Sequence, residues 1–463
     1  MSHASNRSRR LRGIAPVLAL GVWSACVAPA RAQSLTEALA AAYTTNPTLR
    51  AARAELRAVN EGVPQALSNW RPDVTVSASG GKQNFETETS FFSAQQNTTP
   101  LEAAVTLTQP VYRGGRTIAG TQAAENDVRA QRASLTTVEQ SVLLDAATAY
   151  MDVWRDQAVI EFNLSNERVI RRQLEATQDR FTVGEVTRTD VAQAETRLAV
   201  ATADRIAAEG ALTASRAAFE EVVGIVPEVL APPPPLQGLP GTQEDVVALA
   251  IARNPDVLAA TFAEKAARNR VREVIGELLP SVSLTATASR SEETSQRDSL
   301  TKRAQVLAQL TVPLYQQGAV SSRVREAKQI SSQRRIEIEA RRRRAEQEAV
   351  SAWEALLTAR AQIRSFESGV RSAEIALEGV RQENLVGART ILDILDAEQE
   401  LLDARVNLVR SRRDEIVAGF QVLSVIGRLT ARDLKLPVAI HDPEIDYRKV
   451  RNRWFGLGAP RSQ

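Results

Sequence analysis

Two carboxylates spaced three residues apart, Asp393 and Asp396, are the residues of this sequence whose type and spacing suggest chemistry. They lie in NLVGARTILDILDAEQELL, residues 384–402, which has the pattern of a helix leaving a glycine turn. A spacing of three puts both side chains on one face of that helix. If identical subunits bring such faces together, the carboxylates form stacked rings that repel anions and attract cations. The alternative is a pair of ordinary, exposed helix carboxylates.

A near-copy of this stretch, FTVGEVTRTDVAQAETRL, occupies residues 181–198. Gly184 matches Gly387 and Asp190 matches Asp393, and both pairs are 203 positions apart. In each copy a long, proline-free helical pattern reaches the glycine, turns and continues as a second helix. Gly184 and Gly387 are therefore the predicted turns of two helical hairpins.

Other kinds of chemistry have little support in the sequence. His3 and His441 are the only histidines, which is too few for a metal cluster or a catalytic triad by themselves. No phosphate-binding loop or nucleophile–base pair stands out. The arginine run 341–344 has glutamates four residues away on either side, which is the pattern of an ion-paired, solvated helix. We therefore expect no enzyme, no cofactor, no metal and no nucleic-acid partner.

Residues 1–32 have the features of a secretory signal peptide. Five arginines and no acid accompany an apolar run over 14–27 and a small-x-small cleavage site at 30–32. The apolar run is too short to span a bilayer as a helix. Cleavage would remove Cys26, which is otherwise a candidate lipidation site, and would take the formal net charge from +3 to −2. The basic charge of the whole chain therefore belongs to this leader.

The elements that position the two turns occur twice. We predict two structural repeats of helix, two strands, long helix, turn and returning helix, as expected of a repeat sequence. The predicted segments are a first repeat over 33–230, a proline-rich linker over 231–241, a second repeat over 242–436 and a C-terminal tail over 437–463. Prolines favour an extended linker.

The predicted strands alternate apolar and small polar residues, for example over 74–79 and 282–289. Such alternation suits a strand with lipid on one side and water on the other. A half-buried strand pair in a soluble domain shows the same pattern. Polar loops, at about 81–100 and 290–303, are predicted to join each pair of strands. Because four strands in lipid would leave two unpaired edges, membrane insertion would require several copies of the chain; the arithmetic allows two, three or four.

The helical segments are long and are predicted to pack on two sides. The pattern over 117–181 predicts a helix of about 100 Å at 1.5 Å per residue. In the last helical segment, one apolar row repeats every seven residues: Leu395, Leu402, Val409, Ile416 and Leu423. A second row lies one residue earlier and is interrupted at Glu415: Ile394, Leu401, Leu408 and Val422. Two such seams let a helix pack against a neighbour on each side, as in a ring; the alternative is one broad stripe in a solid bundle.

These stretches, together with the repeated Asn-Pro pairs, QPVYRGG at 109–115 and VPLYQQG at 312–318, resemble the TolC family of outer-membrane efflux and secretion channels. The resemblance implies an α+β membrane protein: a homotrimer whose four strands per chain form a 12-stranded outer-membrane β-barrel, continuous with a long periplasmic α-helical barrel. It implies an exit duct for drugs and small molecules, working with a periplasmic adaptor (membrane fusion) protein and an inner-membrane pump or ABC transporter. The alternatives are the exit duct of a type I protein-secretion system and, less favoured, a periplasmic coiled-coil adaptor.

The family also implies roles for particular residues. Its periplasmic aperture is lined by an aspartate pair in the motif that contains Asp393 and Asp396, which assigns the pore constriction and cation selectivity to them. Residues that match Arg389, Thr189 and Asp190 hold the family's tip shut, so these three are the predicted gate contacts. Exposed bonds of this kind contribute little individually, which suits a gate that a partner opens.

Overall fold

The computed structural model describes residues 33–236, 238–294 and 296–458, so the predicted signal peptide and Cys26 lie outside the described residues. The helices are α1 (Leu35–Thr45), α2 (Pro47–Asn60), α3 (Gly62–Ser68), α4 (Arg116–Thr182), α5 (Arg188–Val223), α6 (Gln243–Arg253), α7 (Pro255–Ile275), α8 (Ala319–Leu385), α9 (Ile391–Val425) and α10 (Pro443–Arg451). The strands are β1 (Asp73–Gly80), β2 (Gln83–Thr89), β3 (Phe92–Thr98), β4 (Leu101–Arg113), β5 (Ser281–Glu292) and β6 (Leu300–Thr311). The boundaries of the two repeats stay a prediction.

The main sheet is antiparallel and has the strand order β1-β4-β5-β6. Its register mostly places apolar residues opposite apolar ones, and polar residues opposite polar ones, across all four strands. One row is Val74, Leu107, Ala286 and Val306, and the next row is Thr75, Thr106, Thr287 and Gln305. Since neighbouring rows point to opposite faces, one face of the sheet is apolar and the other is mostly small and polar. The edge strands β1 and β6 are exposed along their whole length.

The predicted polar loop over 81–100 is wrong, because most of it forms a second sheet in which β2 pairs with β3. These strands are polar, and β2 is exposed or half-buried along its length. A strand without a buried face needs no apolar alternation, which is why the pattern did not reveal it. The second predicted loop is shorter than expected, since β5 extends to Glu292 and β6 begins at Leu300.

The two longest helices, α4 and α8, have 67 residues each. At 1.5 Å per residue each is about 100 Å long, as predicted. Each reverses through a short turn into a returning helix, α5 with 36 residues and α9 with 35. A helix of this length extends well beyond the span of the sheet that it leaves.

The two apolar seams predicted for α9 face different neighbours. Leu395 belongs to a buried cluster with Ile170 of α4 and Ala194 of α5. The row one residue earlier belongs to another cluster, in which Ile394 packs with Leu377 of α8. Near the tip, the prediction that this helix packs on two sides is confirmed. At the other end of α9, Val422 and Leu423, one from each row, lie in the same large core.

The largest core lies where the short helices pack around the long ones. It is formed by residues of α1, α2, α4, α5, α6, α8 and α9 and includes the fully buried side chains of Leu143, Tyr150 and Phe420. The Tyr150 hydroxyl lies 2.8 Å from the carbonyl oxygen of Gln33 and 2.7 Å from that of Ala231. This contact fastens both the start of the described chain and the linker to α4.

One stretch, Gln243–Leu278, is apolar and long enough by composition to cross a bilayer. It is divided, however, because α6 ends before Asn254 and α7 begins at Pro255. The Asn254 side chain caps α7 and donates a hydrogen bond to the carbonyl of Val425. Helix α7, which forms most of the stretch, packs against α4 and α8. The stretch is therefore part of the helical body.

Candidate functional site

The tips of the two helical hairpins have the same local geometry. Gly184 follows α4 with φ of 84°, and Gly387 follows α8 with φ of 79°. Glycine adopts this left-handed conformation without steric cost, which explains its place at both turns. In each tip the next residue closes the helix end: the N–H groups of Glu185 and Ala388 donate to helix carbonyls at 2.9 Å. The matched glycines therefore act as the turns that the sequence predicts.

Each returning helix begins with a capping box that the sequence analysis missed. The hydroxyl of Thr187 accepts from the N–H of Asp190 at 3.3 Å, and the carboxylate of Asp190 accepts from the N–H of Thr187 at 2.8 Å. Thr390 and Asp393 make the same pair of bonds, also at 3.3 and 2.8 Å. The signal was available as Thr-x-x-Asp at both turns. The two matched aspartates thus have a structural role at the start of α5 and α9.

The two carboxylates of the candidate constriction have different surroundings. Asp393 accepts hydrogen bonds from the hydroxyl and the N–H of Thr390, and these lower the pKa of its carboxyl. Asp393 is therefore firmly ionised at neutral pH. Asp396, one turn further along α9, is exposed and forms an ion pair with Arg197 of α5. The pair joins the two hairpins of the same chain.

Arg389 is held within its own hairpin. Its Nε donates to Glu383 at 2.8 Å, and its Nη1 lies 3.8 Å from Asp393. The side chain of Asn384 donates to the Arg389 carbonyl at 2.8 Å. The turn thus fixes the guanidinium beside the capping carboxylate.

The three predicted gate contacts are not brought together within one chain. Arg389 pairs with Glu383, Asp190 is engaged by Thr187, and Thr189 is exposed on the first turn of α5. A contact of Arg389 with Asp190 and Thr189 stays a prediction for the assembled protein.

The described contacts change the expected electrostatics of the tip. Three carboxylates, those of Glu383, Asp393 and Asp396, are in contact with two guanidinium groups, those of Arg389 and Arg197. One net negative charge per chain is left in this network. Arg197 lies 199 positions from Asp396, so no local pattern in the sequence joins the two residues.

Comparison with known proteins identifies the family of this chain. The chain matches the family "Outer membrane efflux protein" over residues 38–224 and 246–428. It is 35% identical over 434 residues to outer membrane efflux protein BepC of Brucella suis, covering 93% of both chains. It is 26% identical to outer membrane protein TolC of Escherichia coli, covering 87% of this chain and 84% of that one. It is also 28% identical to alkaline protease secretion protein AprF of Pseudomonas aeruginosa, covering 65% of this chain and 64% of the relative.

The fold is similar to those of solved outer-membrane channels. The Campylobacter jejuni CmeC outer membrane channel superposes with a TM-score of 0.78 at 15% identity, covering 90% of this chain and 89% of that one. The outer membrane protein VceC from Vibrio cholerae superposes with a TM-score of 0.74 at 20% identity, covering 85% and 96%. The chain therefore belongs to the outer membrane efflux protein family of TolC-like channels and is a protein of the cell outer membrane.

Proposed function

We propose that three copies of this chain form an exit duct that carries drugs and other small molecules across the periplasm and the outer membrane. Its outer part is a 12-stranded β-barrel to which each chain contributes β1, β4, β5 and β6. Its inner part is a periplasmic barrel built from α4, α5, α8 and α9. The similarity to TolC-like channels supports this arrangement.

The observation that carries the proposal is the four-stranded sheet with one apolar face and two exposed edge strands. Unpaired backbone groups are not tolerated in hydrocarbon, so an open sheet cannot be stable there. Closed membrane barrels begin at about eight strands. Pairing β6 of one copy with β1 of the next removes the edges, and three copies supply enough strands for a closed barrel.

The long helices support the periplasmic part of the proposal. Two helices of about 100 Å leave the same end of the sheet, and α9 packs on two sides. Helices with neighbours on both sides close into a tube more readily than into a solid bundle. The hairpin tips then lie at the end of the tube farthest from the membrane.

The proposed constriction and gate lie at these tips. Asp393 and Asp396 of three copies form two carboxylate rings that favour cations, and Arg197 and Arg389 reduce their net charge. A guanidinium has five N–H donors, more than the contacts of Arg389 within its hairpin use. In the closed ring its remaining donors bind Asp190, with Thr189 beside it.

The cargo and the partners are part of the proposal. The relative BepC is named an efflux protein, which favours small-molecule export with a periplasmic adaptor and an inner-membrane pump. AprF is named a secretion protein, which makes type I protein secretion with an ABC transporter the second candidate.

Arg389→Ser tests the gate in planar lipid bilayers. The purified variant is expected to have a higher closed-state conductance than the wild type, because the closing contact is lost. Arg405→Ser is the control. Arg405 forms an ion pair of 2.8 Å with Glu374, and this pair lies away from the tip. An unchanged conductance in Arg389→Ser removes this residue from the gate.

Deletion of the gene and complementation test the duct. Cells without the protein are expected to accumulate a fluorescent efflux substrate and to become susceptible to hydrophobic drugs, with an unchanged set of proteins in the culture medium. Loss of a secreted protein with unchanged dye efflux would instead establish the secretion duct. No change in either would refute export as the function.

A further inference from the structure

The C-terminal segment after the last long helix is firmly attached to the body of the protein. Helix α10 packs on α2 and α3. Glu444 pairs with Arg132 of α4 at 2.6 Å, and Arg451 pairs with Glu125 of α4 at 3.0 Å. These contacts fix the position at which the chain leaves α10.

From there the chain reaches the end of the main sheet that adjoins the helices. The guanidinium of Arg71, two residues before β1, donates to the carbonyl of Arg453 at 2.8 Å and lies 4.8 Å from the ring centroid of Trp454. The neighbouring Trp70 carbonyl accepts from the side chain of Gln109 in β4 at 2.9 Å. Trp454 therefore lies where the proposed membrane-spanning strands begin.

The residues that follow form an ordered loop with an apolar exterior. The Arg453 guanidinium donates to the carbonyls of Phe455 at 3.1 Å and Gly458 at 2.7 Å, which closes the loop. Trp454 is nevertheless 57% exposed, Phe455 is 86% exposed and Leu457 is fully exposed at 106%. An ordered loop that presents three large apolar side chains to the outside is unfavourable in water.

We propose that this loop, residues 454–457, is an interfacial anchor that inserts Trp454, Phe455 and Leu457 into the headgroup region of the periplasmic leaflet of the outer membrane. Tryptophan is enriched at this depth in membrane proteins, because its amphipathic ring sits at the level of the headgroups. Arg448 and Lys449 of α10 are exposed but pair with Glu444 and Asp446, so the insertion is assigned to the three apolar side chains. The loop lies beside the helix-side end of the sheet, where Arg71 contacts it. The inference rests on the proposed function only in taking that sheet as the membrane-spanning part.

Fluorescence quenching tests the anchor in reconstituted vesicles. Trp454 is made the sole tryptophan of residues 33–463 by changing Trp70, Trp154 and Trp353 to phenylalanine. The protein is placed in phosphatidylethanolamine and phosphatidylglycerol vesicles whose acyl chains carry bromine either near the headgroup or near the bilayer centre. A matched reporter, Val76→Trp with the other tryptophans removed, tests the sheet, because Val76 is exposed on its apolar face.

The proposal expects shallow bromines to quench Trp454 more strongly than deep ones, and aqueous iodide to quench it weakly. Changing Phe455 and Leu457 to serine in the same reporter should reduce the quenching by lipid about twofold, since both side chains contribute to insertion. Quenching of Trp454 by iodide alone, while Val76→Trp is quenched by lipid, would overturn the anchor and leave the duct intact. Protection of Trp454 from both quenchers would mean that a neighbouring copy covers the loop, which also overturns the anchor. If lipid quenches neither reporter, the membrane placement of the sheet fails as well.

Discussion

Replacing Arg197 by glutamine is expected to make the duct more cation-selective. Arg197 pairs with Asp396 across α5 and α9, so the substitution frees one carboxylate per chain. The tip gains one net negative charge per chain, and a trimeric constriction gains three. Glutamine keeps a polar side chain of similar length at the same place, which limits the change to charge and the ion pair.

The expected magnitude follows from Coulomb's law. At about 8 Å from an ion on the axis, each added charge contributes roughly 0.5 kcal/mol in water, or about 1.5 kcal/mol for three. Screening in ~0.15 M salt, with a Debye length of about 8 Å, reduces the total to roughly 0.5 kcal/mol. Cations are stabilised and anions destabilised by this amount, so their difference is about 1 kcal/mol. The cation-to-anion permeability ratio is then expected to rise roughly fivefold.

The assay is the reversal potential of single channels in planar bilayers under a KCl gradient. The control is Arg405→Gln, which makes the same charge change where Arg405 pairs with Glu374. Arg405 lies about 13 Å from Asp396 along α9, beyond one Debye length, so its shift should be small. The shift in reversal potential caused by Arg197→Gln should also disappear near 1 M salt, where the Debye length is about 3 Å. An unchanged reversal potential, or an equal shift in both variants, would refute the placement of these charges at the constriction.

Two substitutions in the helical body test the packing through the thermal unfolding midpoint of the detergent-solubilised protein. Tyr150→Phe keeps the buried ring and removes a hydroxyl that contacts two backbone carbonyls, so a loss of about 1 kcal/mol is expected. Burial raises the pKa of Tyr150 to about 12 from 10.0, so the stability of the wild type should fall as pH rises from 10 towards 12, and the variant should lack this fall. Glu139→Gln keeps an acceptor for the N–H of Ala431, which lies 2.7 Å from the carboxylate. Burial raises the pKa of Glu139 above 4.5, so protonation favours the folded state, and the wild type should gain stability relative to the variant as pH falls through the raised pKa. The variant should be at least as stable as the wild type at neutral pH. An unchanged midpoint and alkaline profile in the first variant, or a clear loss at neutral pH in the second, would contradict the described contacts.

Several elements were predictable because a local pattern reports them directly. Alternation predicted the four strands of the main sheet, and the register confirms that apolar and polar residues occupy different faces. The absence of proline predicted the two 67-residue helices. The two seams of α9 were visible as rows one residue apart, and near the tip each row packs in its own cluster.

Other elements left no such pattern. The hairpin of β2 and β3 is held by backbone pairing and lacks a buried face, so its residues show no apolar period. Helix α10 is short, and its start at Asp442 and Pro443 was signalled only by an N-cap residue followed by proline. At the tip, the capping role of Asp393 was visible in the sequence as Thr-x-x-Asp. The pairing of Asp396 with Arg197 depends on the packing of α5 against α9 and could not be found from local spacing.

The protein mass of the purified, detergent-solubilised particle, measured by light scattering with separate correction for bound detergent, tests the central claim most directly. The account predicts three chains per particle and aggregation when the detergent is removed. A single chain that remains soluble without detergent would contradict it.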